Sequence, residues 1–247
     1  TLAFDQAEKV IDQAASMGTK HINFAGGDPL VYPGLLGLIK RIKSHGIEVA
    51  MVTMGSTLNQ KMAGGMVDSG VDVVRFSLDS PVADTHNMIR GVRGAYEKTL
   101  RGIRLLQEAR LSANKTKPLI VVNMTILKDN VSQVEVMASY CADLQVDLLT
   151  YGLVVQTSES VVEMTNAQFS EEVCSRQFQS EDTMLLNIEQ LAQLKDSILR
   201  LRANGLLGGM RTNSLSILPM LSRMDDAAKG NYLKEGLETG ELTCFFP

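Results

Sequence analysis

Apolar positions along the chain switch between a helical and an extended spacing, and a glycine usually marks the change. Phe4, Ala7, Ile11, Ala14 and Ala15 recur at three- and four-residue intervals and predict an amphipathic helix that stops at Gly18, ahead of the strand His21–Phe24. The unit recurs. Pro33 suits a first helical turn, Leu35, Leu36, Ile39 and Ile42 form an apolar stripe, Lys40, Arg41 and Lys43 suit the negative helix end, and Gly46 precedes a strand over 47–52. A third helix, over 58–69 and weakened by Gly64 and Gly65, ends at Gly70 before a strand over 71–78. A fourth, over 95–109, is broken off by SANKTKP before a strand over 119–127. A fifth carries Val131, Val134, Met137, Ala138 and Cys141 on its apolar face and precedes a strand over 146–151.

Apolar strands separated by helices predict an α/β fold with a parallel, helix-covered sheet; a barrel, a part-barrel and a doubly wound sheet fit equally. After Gly152 the periodicity fades into the polar stretch TSESVVEMTNAQFSEEVCSRQFQSED, followed by one long helix over 184–203. The chain therefore divides into a core over 1–153 and a helical flank over 154–247.

The 247 residues suffice for a core without disulfide staples. A net charge of −4 offers no basic field for nucleic acid, so a small or peptidic partner is expected. No apolar run approaches the roughly 18 residues of a membrane span, the N-terminal TLAFDQAEKV lacks the build of a signal peptide, and the expected compartment is the cytoplasm. Cys141, Cys174 and Cys244 are far apart and cannot by themselves cage a metal cluster. Cys141 reads as core and Cys174 as a surface thiol. The 13 methionines are dispersed, as core filling would have them.

In parallel α/β folds ligands sit at the carboxyl ends of strands. After the first strand comes Gly26-Gly27-Asp28-Pro29, where two glycines permit close backbone approach and an acid can accept from an ammonium; an ordinary glycine turn reads the same. The next strand ends in Thr53-Met54-Gly55-Ser56, hydroxyls beside a glycine. The third ends in Ser77-Leu78-Asp79-Ser80-Pro81; two residues apart on a strand, Ser77 and Asp79 would face one ligand, unless Asp79 folds back on its own backbone. His86 is expected to cap or pack, and Arg90 to clamp a carboxylate or pair with a surface acid.

Taken in order, these residues resemble the radical SAM superfamily. GGDPL is similar to its GGEP motif, TMGSTL to its TNG strand end, and VRFSLDSP with HNMIRG to its SxD element and following RG turn. The resemblance covers residues 1 to about 152 and implies a partial (β/α)6 TIM-like barrel. It places Gly26, Gly27 and Asp28 around the methionine part of S-adenosylmethionine (SAM), Ser77 and Asp79 near ribose, and Arg90 near the SAM carboxylate. Thr53 belongs to the same cofactor-binding set, Asn123 would face the cofactor from the fifth barrel strand, and Leu153 would end the sixth, where backbone contacts adenine. Asp28 stands where glutamate is usual, and Met54 where asparagine is.

The family's CxxxCxxC, three thiolates for a 4Fe–4S cluster, does not occur here. Thr1 matches a position soon after that loop, so the resemblance implies that the barrel's first strand and the cluster ligands precede this sequence. ELTCFFP resembles the opening of the SPASM or twitch extension, which makes Cys244 a candidate ligand of an auxiliary iron–sulfur cluster. The implied activity is reductive cleavage of SAM to a 5′-deoxyadenosyl radical that abstracts hydrogen from a peptide or small metabolite, with a flavodoxin or ferredoxin as electron donor. The stretch alone would be inactive without the cluster segment, and no catalytic residue is singled out. A SAM-binding partner protein without a cluster is the alternative. A part-barrel lyase or aldolase ranks last, since Lys20 and Lys128 only flank strands.

Overall fold

The structure, a computed structural model, describes residues 2–153, 186–203 and 211–212, the last pair by backbone alone. Helix α1 (Phe4–Ser16) leads to β1 (His21–Phe24), a single 3-10 turn (Pro29–Val31), α2 (Leu35–Ser44) and β2 (Glu48–Thr53). Then come α3 (Gln60–Ser69), β3 (Val73–Ser77), α4 (Ala83–Arg90), α5 (Ala95–Ser112), β4 (Leu119–Ile126), α6 (Val134–Asp143) and β5 (Leu148–Leu153). Helix α7 (Ile188–Ala203) and β6 (Arg211–Thr212) complete the described elements.

The six strands are all parallel and pair in chain order, β1 to β6. Each step moves one strand in the same direction, and right-handed crossovers then put every connecting helix on one face, as in a barrel wall. Sequence periodicity left a doubly wound sheet open; this strand order excludes it and leaves the partial barrel. Burial agrees with the layering. Val49, Met51, Val74, Phe76, Val122, Met124 and Leu149 belong to the buried core under the helices, while their strand neighbours Ala50, Arg75, Val121 and Asn123 face the other side.

Two glycines set how closely α5 approaches the sheet. A Cβ on Gly102 would lie 3.0 Å from the Gly55 carbonyl oxygen, and one on Gly55 would lie 2.7 Å from the Phe76 ring. At the amino ends of the strands two aspartates fasten neighbours together. Asp72 accepts from the Val49 N–H at 2.9 Å and pairs with Lys43 and Lys117, and Asp147 accepts from the Ile120 N–H at 2.7 Å and pairs with Arg110. The charges at that end are paired among themselves. The carboxyl end is where unclaimed polar groups collect.

Two elements depart from expectation. The HNMIRG stretch is helix α4, with Asp84 in its first turn and left-handed Gly91 as its C-cap; eight residues are too few for a clear apolar stripe. The flank reading of 154–247 also changes for part of its length. Helix α7 is helical as expected, but Leu194, Ile198 and Leu201 are fully buried, it packs on α6, and β6 joins the sheet beside β5. This stretch therefore adds a barrel unit. Among the described residues no helix is long and apolar enough to cross a membrane.

Candidate cofactor-binding site

The turn after β1 is open. Gly26 has φ +114°, a Cβ on Gly26 or Gly27 would meet nothing within 4 Å, and both residues are exposed, so their backbone groups face free space. Asp28 closes the turn. Its Oδ1 accepts from the Leu30 N–H at 3.1 Å, which caps the 3-10 turn, and its Oδ2 accepts from the Met54 N–H at 3.3 Å. The Thr53 hydroxyl lies 2.8 Å from both carboxylate oxygens and has one proton to share between them. Three donors therefore address a group with about four lone-pair sites, which leaves room for one more. Thr53 in turn accepts from the Gly55 N–H at 2.8 Å and is buried, so its hydroxyl serves to hold Asp28.

On the inner face of the sheet, the register aligns Ser77 with Asn123 and Asn123 with Thr150. Thr150 donates to Asn123 Oδ1 at 2.9 Å, which turns the amide so that its NH₂ is the open end. Among the described residues, neither that NH₂ nor the Ser77 hydroxyl has a partner. One position further along, Thr125 and Gly152 face each other across β4 and β5, and Leu153 ends β5 half-buried. The result is a short polar row at the carboxyl ends of three adjacent strands.

Asp79 and Arg90, expected near ribose and the SAM carboxylate, meet each other. Strand β3 stops at Ser77, and Asp79 beyond it is fully buried. Its Oδ1 accepts from the Thr125 N–H at 3.0 Å, and its Oδ2 sits 2.6 Å from Arg90 Nε, an ionic contact in which the N–H is not aligned for a hydrogen bond. The pair is thus joined internally, and the same-face argument for Ser77 and Asp79 does not apply past the strand end. Nor does Asp79 fold onto its own backbone.

His86, fully buried, accepts from the Asp79 N–H through Nδ1 at 3.1 Å and meets the Tyr96 ring edge-on. It packs, as expected. Burial lowers its pKa, Asp79 opposes that and Arg90 reinforces it, so the neutral ring that accepts from Asp79 is favoured.

Asn130 belongs to none of the motifs in the sequence. Fully buried, it donates to the carbonyls of Asp79 at 2.7 Å and Thr125 at 2.8 Å and accepts from the Leu127 N–H at 2.8 Å. An asparagine just after a strand was the only signal for it. Arg75 and Thr150 were also missed, because both lie within strands that read as uniformly apolar.

Residues 1–141 match the family model described as the Radical SAM superfamily. The chain belongs to that superfamily. An AdoMet-dependent heme synthase of Methanosarcina barkeri is 30% identical over 133 residues, 54% of this chain and 36% of the relative. A PqqA peptide cyclase of Granulibacter bethesdensis is 30% identical over 103 residues, 42% of this chain and 28% of the relative. The chain spans about a third of the length of the curated relatives it matches. The solved structure of anSMEcpe with bound AdoMet and a peptide superposes with TM-score 0.63 at 13% identity, over 85% of this chain and 55% of that one. This radical SAM protein therefore has the partial-barrel fold.

The superfamily's cofactors are SAM and a 4Fe–4S cluster, and the described residues suit them unequally. An open two-glycine turn, a carboxylate with spare acceptor capacity and the unclaimed donors of Ser77 and Asn123 are the groups a zwitterionic, ribose-bearing ligand needs. The described residues do not provide for the cluster. Among the described residues no group of acids, histidines or cysteines could hold a metal, and buried Cys141 has its thiol pushed up to about 12 by desolvation. Cys174 and Cys244 lie outside the described residues.

Proposed function

We propose that this chain carries the SAM site of a radical SAM enzyme that abstracts hydrogen from a peptide or small-metabolite substrate. Bound SAM supplies the hydrogen-abstracting equivalent once it is reductively cleaved. The residues of this chain bind and orient it: Gly26 and Gly27 open their backbone to the methionine part, Asp28 accepts from the ammonium, and Ser77 and Asn123 bond the ribose. Leu153 offers backbone to adenine. Thr53 acts through Asp28, and the Asp79–Arg90 pair acts by fixing the turn beneath Ser77 and Thr125. The observation that carries this reading is the open glycine turn beside an Asp28 whose carboxylate is pre-oriented by Thr53.

The relatives support both substrate classes, since one is named for heme and another for a peptide. An auxiliary cluster ligated by Cys244 and a flavodoxin or ferredoxin as electron donor complete the proposal. The test is SAM binding by calorimetry in anaerobically purified full-length protein. D28A and G27V each should weaken it by about tenfold or more, and T53V by less, at unchanged fold by circular dichroism. Unaltered affinity in D28A and G27V would place SAM elsewhere. SAM binding by a full-length protein that contains no iron would favour the cluster-free partner protein.

A further inference from the structure

We propose that Arg75 anchors the substrate: its guanidinium, on the inner face of the barrel, binds an oxyanion of the substrate, a carboxylate or a phosphate. Phe76 points outward against Gly55 and Gly102, so Arg75 beside it points inward. Register places it between Val52 on β2 and Val121 on β4, one layer below the Ser77–Asn123–Thr150 row. It is half-buried and flanked across the strands by those two valines, and among the described residues it has neither an ion pair nor a hydrogen bond. Its environment pulls the guanidinium below the ordinary arginine range through desolvation, and among the described residues no carboxylate opposes the shift.

A cation partly withdrawn from water without a counter-ion is a cost to the fold. Among the described residues the two buried carboxylates both have counter-ions, Asp72 two lysines and Asp79 Arg90. The missing counter-ion is one that a ligand can bring, and the planar fork of an arginine matches a carboxylate or phosphate in two-point contact. Position selects the substrate over the cofactor. Arg75 lies deeper in the barrel than the groups assigned to SAM, which is the part of the inference that rests on the proposed SAM site.

The probes are glutarate and, in a second arm, inorganic phosphate, titrated at constant ionic strength into anaerobically purified full-length protein, with R75Q and R75K beside the wild type. Calorimetry and melting temperature follow the anion, and SAM affinity is measured in parallel. At least one anion should stabilise the wild type, bind about tenfold more weakly to R75Q and less weakly to R75K, and leave SAM affinity within about twofold. Without anion, R75Q should melt no lower than the wild type, because an unpaired charge has been removed. The arm that responds names carboxylate or phosphate. An absent or equal anion response in wild type and R75Q overturns the proposal, as does an R75Q that melts lower, which marks a structural arginine. A tenfold loss of SAM affinity in R75Q also overturns it and assigns Arg75 to the cofactor. Failure of the wild type to bind SAM would sink the SAM-site reading alone, and the anion titration would still decide Arg75.

Discussion

Replacing Arg90 by methionine tests whether Asp79 is a structural charge or a ligand-binding one. The side chain of Asp79 is 1% exposed and that of Arg90 23%, so the two ends of the pair are unequal in their access to water. R90M retains much of the stem packing but leaves the carboxylate with the Thr125 N–H as its remaining strong donor. A charge stranded at that depth costs about 3–5 kcal/mol. D79N removes the charge, keeps an oxygen for the Thr125 N–H and leaves a guanidinium that water can reach, a loss of about 1–2 kcal/mol.

R90M should therefore be clearly the worse variant, and the double variant should cost less than the sum by about 1 kcal/mol or more. Urea unfolding of the full-length protein gives the three values, and hydrogen exchange at Thr125 reports the local effect. An R90M that costs under about 1 kcal/mol, or no more than D79N, would refute the argument that burial makes the pair structural. A D79N that keeps its stability but no longer binds SAM would restore the ribose contact expected from the SxD motif.

Two further outcomes follow from local geometry. G102A should destabilise by about 1–3 kcal/mol, because its methyl meets the Gly55 carbonyl oxygen at 3.0 Å; G64A, where a Cβ meets nothing within 4 Å outside the backbone of its own helix α3, should gain about 0.5–1 kcal/mol in the same denaturation assay. The lowered pKa of His86 means that the unfolded chain takes up its proton first, so stability from this group is present above the ordinary histidine value of 6.5 and is lost as pH falls below it. The urea midpoint should drop between pH 7 and 5.5, and H86N, which keeps an acceptor for the Asp79 N–H, should flatten that drop.

Much of the α/β frame could be read from the chain because its signals are local. Gly18, Gly46 and Gly70 mark the helix ends, and the strand over 21–24 and the starts at Ala95 and Leu119 coincide with the observed elements. The short α4 escaped notice because eight mostly polar residues carry no clear period, and α7 seemed a flank because the polar stretch before it hides that Leu194, Ile198 and Leu201 face the same core. The GGDP turn was likewise visible, since two glycines and an acid in sequence need no distant partner to be noticed.

Which of these residues touch one another was a matter for the tertiary structure alone. Thr53 holds Asp28 from a strand 25 residues away, Arg90 reaches back to Asp79, and Asn130 locks a backbone 51 residues distant. Sequence specifies the type of each group and its face on an element. Pairing between groups depends on strand order and register, which bring distant residues within hydrogen-bond reach, and on burial, which makes an unpaired charge costly. Arg75 shows the difference most clearly: within an apolar strand it carries no local signal, and only the parallel register sets it between two valines on the inner wall, where it has no ion pair among the described residues.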